Sequence, residues 1–197
     1  MRACLGWWLA LTAVAFAFMS SLYVIADVRI DGNPHKLTIS GAVAHSDATY
    51  GTSIVLMLVL VGLLLALEVT CRIPLARASV PVAAIVGLAM LLSIAITWKR
   101  HRPAHYAFTA LALVGMVVLA GLWTHAAWPD RTARVLLPTL TVLLFLAGVG
   151  VGVAGRRRQM RCVATMEWLA IGLFLSAALC SCAGRPACHL GRQPTGA

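Results

Sequence analysis

The stretch VPVAAIVGLAMLLSIAITW, residues 80–98, contains no charged side chain and lies between Arg77 and the basic pair Lys99-Arg100. A helix that crosses a hydrocarbon core needs about 17 to 25 predominantly apolar residues, which is the length of this stretch. Similar stretches recur along the chain, which is 61% hydrophobic and 11% charged. Soluble globular domains carry roughly a quarter charged residues. The composition therefore excludes a soluble domain and predicts an integral membrane protein.

Six apolar stretches of this kind are separated by short polar connections and one longer loop. The predicted spans are residues 4–26, 52–70, 80–98, 106–123, 135–154 and 162–183. Lipid offers no hydrogen-bond partner to the backbone, so each span must be helical, and short connections make neighbouring spans antiparallel. The predicted fold is an all-α, polytopic membrane helical bundle of about six transmembrane helices, with residues 1–197 forming a single transmembrane domain.

The first span has a second interpretation as a cleavable signal peptide. Arg2 precedes its apolar stretch, and Val24-Ile25-Ala26 resembles a cleavage site. The apolar stretch is longer than the usual signal-peptide core of roughly 7 to 15 residues. Its length favours a membrane anchor.

Prolines and glycines give local expectations within the spans. Pro81 and Pro138 are near the starts of spans three and five, where a missing amide donor costs least, so they are expected to mark helix beginnings. Gly148, Gly150 and Gly152 include one small-xxx-small spacing. This spacing predicts close packing against another helix of the bundle, with a dimer face as the alternative.

Six crossings divide the polar segments between two faces of the membrane. Face A carries both termini and the turns at residues 71–79 and 124–134, whereas face B carries the loop at 27–51 and the turns at 99–105 and 155–161. The net charge of +10 comes from basic residues that are almost evenly shared between the faces. They are expected to meet anionic headgroups, and no nucleic-acid partner is predicted.

Candidate functional side chains gather on face B. An acid at membrane depth is costly, so Glu167 is expected to face the bundle interior or a watery pocket, with a functional role or a structural hydrogen bond as equal alternatives. The other candidates are Ser40, Asp47 and His105, and Asp47 is also placed to cap the second span. His101 and His105 lie in a turn with Pro103 and do not predict a metal site. No catalytic residue is assigned, and no cofactor is predicted.

Most cysteines lie on face A. Cys180 and Cys182 are close to a helix end there and are candidates for palmitoylation. Free thiols suit a reducing compartment, which favours face A as cytosolic.

Three stretches together resemble the DRAM (damage-regulated autophagy modulator) family of six-helix membrane proteins. The first runs from Tyr23-Val24-Ile25-Ala26 to Leu37-Thr38-Ile39-Ser40, similar to the family's Tyr-x-x-Ala followed by Pro-Tyr-Ile-Ser. The second is His105 with the small residues that follow it, and the third is Ala164-Thr165-Met166-Glu167-Trp168, which resembles the family's Ala-x-x-Glu-Trp. The chain departs from the family at Gly41, where the family has aspartate, and only Asp47 stands near enough to replace that acid.

The resemblance implies a non-enzymatic regulator of autophagy, lipid organisation or the maturation of GPI-anchored proteins. It implies a location in the Golgi, the lysosome or the plasma membrane, both termini in the cytosol, and membrane lipids and other membrane proteins as partners. One alternative is a membrane-embedded lipid-modifying hydrolase that uses Ser40, His105 and the face B acids. Another is a small transporter or channel with Glu68 and Glu167 as ion or proton relays.

Overall fold

The computed structural model describes residues 47–71, 76–97, 100–126, 131–157 and 160–183. Those residues form five α-helices joined by short connections. The helices are α1, Asp47–Cys71; α2, Ala76–Ala95; α3, Arg102–Ala126; α4, Arg131–Arg156; and α5, Met160–Ala183. Every predicted span from the second to the sixth is helical over its described residues, apart from Ile96 and Thr97 in the span at 80–98. The predicted first span, residues 4–26, lies outside the described residues, as does its signal-peptide alternative.

Four of the described helices are long and apolar enough to cross a membrane. Their spanning segments are Ala78–Ala95, Arg102–His125, Arg134–Arg156 and Cys162–Ser181. In α1 the continuous apolar segment among the described side chains is the shorter stretch Tyr50–Ala66. The described part of the chain is therefore all-α, and its apolar helices are those of a multi-pass membrane protein.

Helices α2, α3 and α4 begin before the apolar stretches that predicted them. Their backbone hydrogen bonds continue into the region where polar side chains meet headgroups and water. This extension places Pro81 and Pro138 inside α2 and α4 rather than at their beginnings, so the expectation for the prolines is wrong. Each proline removes one hydrogen bond within its helix, which membrane helices tolerate where neighbouring groups satisfy the backbone.

Contacts between helix ends establish that sequence neighbours run antiparallel. The Tyr50 hydroxyl at the start of α1 donates to the carbonyl oxygen of Ala95 at the end of α2, over 3.0 Å. The hydroxyls of Thr124, near the end of α3, and Thr141 on α4 are 3.3 Å apart. In addition to these neighbours, α5 packs against α3. The described helices therefore form an up-and-down bundle in which α1, α3 and α5 are parallel.

Helix α4 presents much of its surface outward. Its Val135, Val142 and Phe145 are exposed, and Phe145 has 55% of its surface accessible. The side of α4 that faces α3 and α5 instead buries Leu137, Leu144 and Ala147. Exposed aliphatic and aromatic side chains are stable in lipid, so this outer face is consistent with a helix that contacts hydrocarbon.

Two glycines allow the helices to approach closely. A Cβ atom added to Gly115 of α3 would lie 2.5 Å from Cγ2 of Val86 on α2, and one added to Gly87 of α2 would lie 2.5 Å from Cγ1 of Val61 on α1. Carbon atoms separated by less than about 3.5 Å repel each other. Only glycine therefore fits at these two contacts with the present backbone.

The two glycines of the small-xxx-small spacing in α4 do not lie at a contact between described helices. A Cβ atom at Gly148 or Gly152 would meet nothing within 4 Å, whereas one at Gly150 would lie 3.1 Å from Sδ of Met166 on α5. The predicted packing of Gly148 and Gly152 within the bundle is therefore wrong for the described residues. Gly150 lies on the side of α4 that faces α5.

Candidate functional site

Of the four sequence-predicted residues, the structure describes Asp47, His105 and Glu167, which lie at separate positions. Ser40 lies outside the described residues. Asp47 is the first residue of α1 and is exposed. At that position a carboxylate interacts favourably with the positive end of the helix dipole. Asp47 thus has the location expected of a residue that stabilises the start of α1.

His105 is buried at the start of α3, with 4% of its surface exposed. Its Nδ1 atom lies 2.8 Å from the carbonyl oxygen of Ser93, in the last turn of α2, and 3.0 Å from that of Ile96, the residue that follows the helix. Carbonyl oxygens only accept hydrogen bonds, so Nδ1 carries the proton and donates. The last carbonyls of a helix have no partner within it. His105 therefore caps α2 and joins it to α3.

Removing this cap is expected to destabilise the bundle. We expect His105→Leu to lower the free energy of unfolding by about 1 to 3 kcal/mol, because the buried carbonyls lose their donor. Asparagine carries an amide donor near the position of Nδ1, so His105→Asn should retain part of the stability. Unfolding of both variants in detergent micelles measures the effect, and equal stability of His105→Leu and wild type would contradict the capping role.

Glu167 is half-buried near the start of α5 and engages in interactions of its own. The hydrogen bonds of His105 Nδ1 are directed to carbonyl oxygens of Ser93 and Ile96 rather than to Glu167. Cys180 is a half-buried free thiol on α5. The side chain of Cys182 lies outside the described residues. The predicted residues of face B thus do not form one described site.

A buried polar contact that sequence reasoning did not predict lies at the face A end of the bundle. Nε1 of Trp123, on α3, donates to Oε1 of Glu68, on α1, over 2.6 Å. Glu68 is 2% exposed and Trp123 is 1% exposed. Hydrogen bonds to ionisable groups in a low-dielectric interior are stronger than those at a surface. The pair therefore joins two helices that are not neighbours in the sequence.

An aromatic contact extends this pair to a third helix. The rings of Trp123 and Phe174, on α5, stack with centroids 5.3 Å apart and planes 26° apart. Phe174 is also fully buried. Glu68, Trp123 and Phe174 thus connect α1, α3 and α5, which all run in the same direction.

Two buried oxygen atoms at this end of the bundle have no hydrogen-bond partner among the described residues. They are Oε2 of Glu68 and Oγ of Ser79, on α2. Buried polar atoms in proteins nearly always have a partner, so each unsatisfied atom requires an explanation. The sequence signal was Glu68 itself, an acid within an apolar stretch, but nothing in the sequence indicated which residue would meet it.

Comparison with known proteins gives no relative from which a function is transferred. No family model, no curated protein and no solved structure matches the chain. Among the described residues, no group of three or more His, Cys, Asp or Glu side chains is placed to hold a metal ion. The functional argument therefore depends on the residues of the chain itself.

Proposed function

We propose that this protein is a non-enzymatic, multi-pass regulator of an endomembrane process, with membrane lipids and other membrane proteins as its partners. The process is autophagy, lipid organisation or the maturation of GPI-anchored proteins, as the resemblance to the DRAM family implies. The resemblance supports a location in the Golgi, the lysosome or the plasma membrane.

The observation that carries the non-enzymatic part is the position of His105. Its Nδ1 atom already donates to the carbonyls of Ser93 and Ile96, and the ring is almost inaccessible. A general base must reach the proton that it removes within about 3 Å, directly or through one water. A buried histidine that caps a helix supports a structural role for this residue better than acid–base chemistry on a lipid.

The proposed topology has six spans, with residues 4–26 as the first and both termini in the cytosol. The antiparallel order of α1 to α5 places the start of α1 and the end of α5 on opposite faces, and a further span at residues 4–26 would bring both termini to one face. In this orientation Cys180 and Cys182 lie close to the cytosolic face. Both are then accessible to the enzymes that attach palmitate, and we propose them as palmitoylation sites.

The experiment is a loss-of-function cell line that is rescued with variants at matched abundance. We expect the loss to change autophagic flux, membrane lipid composition or the amount of GPI-anchored protein at the cell surface. Because the proposed role requires no reaction, Ser40→Ala, Asp47→Asn and Glu167→Gln should each restore the altered property.

Two outcomes would contradict the proposal. If all three properties are unchanged in the cell line, the regulatory role is wrong. If Ser40→Ala and Glu167→Gln are present at wild-type abundance and fail to rescue, an acid–base or nucleophilic function in a lipid-modifying hydrolase replaces it. A variant with reduced abundance instead indicates a structural contribution, and the comparison is then made with the remaining variants.

A further inference from the structure

Three polar side chains from three helices lie at the same level of the bundle. Gly115 of α3 lies against Val86 of α2. At the other end of these two helices, the hydrogen bonds of His105 to Ser93 and Ile96 fit the same antiparallel register. About two turns from the glycine contact, this register places Ser79 level with residues 122–123. Ser79 also shares a helix face with Val86, because seven residues are almost two turns. It therefore lies on the side of α2 that faces α3, level with Trp123.

The register between α1 and α2 gives the same result independently. Val61 lies against Gly87. Two turns further towards face A, Glu68 on α1 is level with residues 79–80 on α2. The hydrogen bond between Glu68 and Trp123 places α1 and α3 in contact at the same level. Glu68, Ser79 and Trp123 thus converge at one buried level.

The two buried oxygen atoms without a hydrogen-bond partner belong to residues that lie at this same level. Oε2 of Glu68 and Oγ of Ser79 are both inaccessible, in residues that are 2% and 0% exposed, and neither has a partner among the described residues. An ionised carboxylate with an unsatisfied oxygen is costly in an apolar interior. A proton on Oε2 removes the charge and converts that oxygen into a donor, and the register places the Ser79 hydroxyl, a possible acceptor, at the same level.

We propose that Glu68 is a buried proton-binding site, with Ser79 accepting from Oε2–H through one water and Trp123 donating to Oε1. One proton binds to Oε2 and no other bond changes. The site is used neither by the His105 cap nor by the proposed regulatory function. It is also independent of Glu167, which lies towards the opposite face.

Among the described side chains, three charged or titratable groups other than Glu68 lie around this end of the bundle. On α3 the group is His125, on α4 it is Arg134, and on α5 it is the half-buried thiol of Cys180. His125 and Arg134 are exposed. On α2, Ser79 is the polar side chain described at this level, and the hydrogen bond that the structure gives Glu68 comes from Trp123.

The experiment is carbodiimide labelling of the full-length protein in lipid vesicles. Dicyclohexylcarbodiimide partitions into the bilayer and reacts with protonated carboxyl groups, and mass spectrometry of peptides identifies the modified residue. We expect labelling at Glu68 that falls as the pH is raised, and complete loss of that label in Glu68→Gln. Exposed Asp47 is the internal control, since a water-soluble carbodiimide should label it in preference to Glu68.

Ser79→Ala tests the acceptor. It leaves Glu68 and Trp123 in place and removes the group that favours the protonated carboxyl, so labelling of Glu68 at a fixed pH should fall. If Glu68→Gln does not fold, the peptide map of the wild-type protein still gives the result. Infrared spectra provide a second measurement, because a protonated carboxyl has a carbonyl stretch that disappears as the group ionises.

Three results would overturn the proposal. The first is the absence of labelling at Glu68 at every pH at which the protein is folded. The second is suppression of labelling by sodium chloride but not by choline chloride, which would assign the unsatisfied oxygen to a sodium ion. The third is stronger labelling in Ser79→Ala, which would show that the hydroxyl donates to an ionised carboxylate.

Discussion

Replacing Trp123 by alanine is expected to lower the free energy of unfolding by about 3 to 5 kcal/mol, the range for removal of a buried aromatic side chain. Trp123 is 1% exposed, stacks on Phe174 and donates to Glu68. The substitution therefore opens a cavity among α1, α3 and α5 and also leaves the Glu68 carboxyl without its donor. Reversible unfolding in mixed micelles measures the loss.

Two matched variants separate the contributions to this effect. Trp123→Phe retains an aromatic ring against Phe174 and removes the donor, so it should cost about 1 to 3 kcal/mol. Phe145→Ala on α4 removes a large ring that is 55% exposed. It should have a much smaller effect, since it creates no internal cavity. If Trp123→Ala destabilises the protein no more than Phe145→Ala, the proposed importance of the buried pair is wrong.

Replacing Gly115 by leucine is expected to destabilise the contact between α2 and α3 by about 1 to 3 kcal/mol or more, the usual cost of overpacking. Even the first added carbon would lie 2.5 Å from Cγ2 of Val86. Val86 is a stiff β-branched residue with 1% of its surface exposed, so it has no free space to move into. The two helices must separate to accept the larger side chain.

Gly152→Leu is the control for this prediction. Gly152 is also inside a spanning helix, but a Cβ atom there would meet nothing within 4 Å. Both variants replace glycine by a better helix former, so the difference between them reports packing rather than helix propensity. Thermal unfolding and size-exclusion elution measure the two effects. Similar unfolding temperatures would contradict the close approach at Gly115.

The helical, membrane-spanning character of the described chain could be predicted from the sequence because it depends on local properties. Each apolar stretch must satisfy its own backbone hydrogen bonds, and its length must match the bilayer. The boundaries were less predictable. Helix α4 begins at Arg131, before the apolar stretch, and this places Pro138 well inside the helix.

The contacts of the candidate site were less predictable from the sequence than the helix boundaries. The cost of an acid at membrane depth predicts Glu167 as a candidate, and it predicts Glu68 only within the transporter alternative. The hydrogen-bond donor to Glu68 is Trp123 on α3, which is 55 positions away in the chain. No local pattern indicates which of the six tryptophans meets this carboxyl.

The chemistry of residues 80–98 and of the similar stretches is enough to determine that the chain is helical and embedded in a membrane, because hydrocarbon permits no other backbone conformation for an isolated segment. The packing partners were decided by tertiary structure alone. Helix register places His105 against the end of α2 and Glu68 beside Trp123, and register depends on contacts such as Gly115 against Val86. Those contacts form between distant residues, so their geometry exists only in the folded bundle.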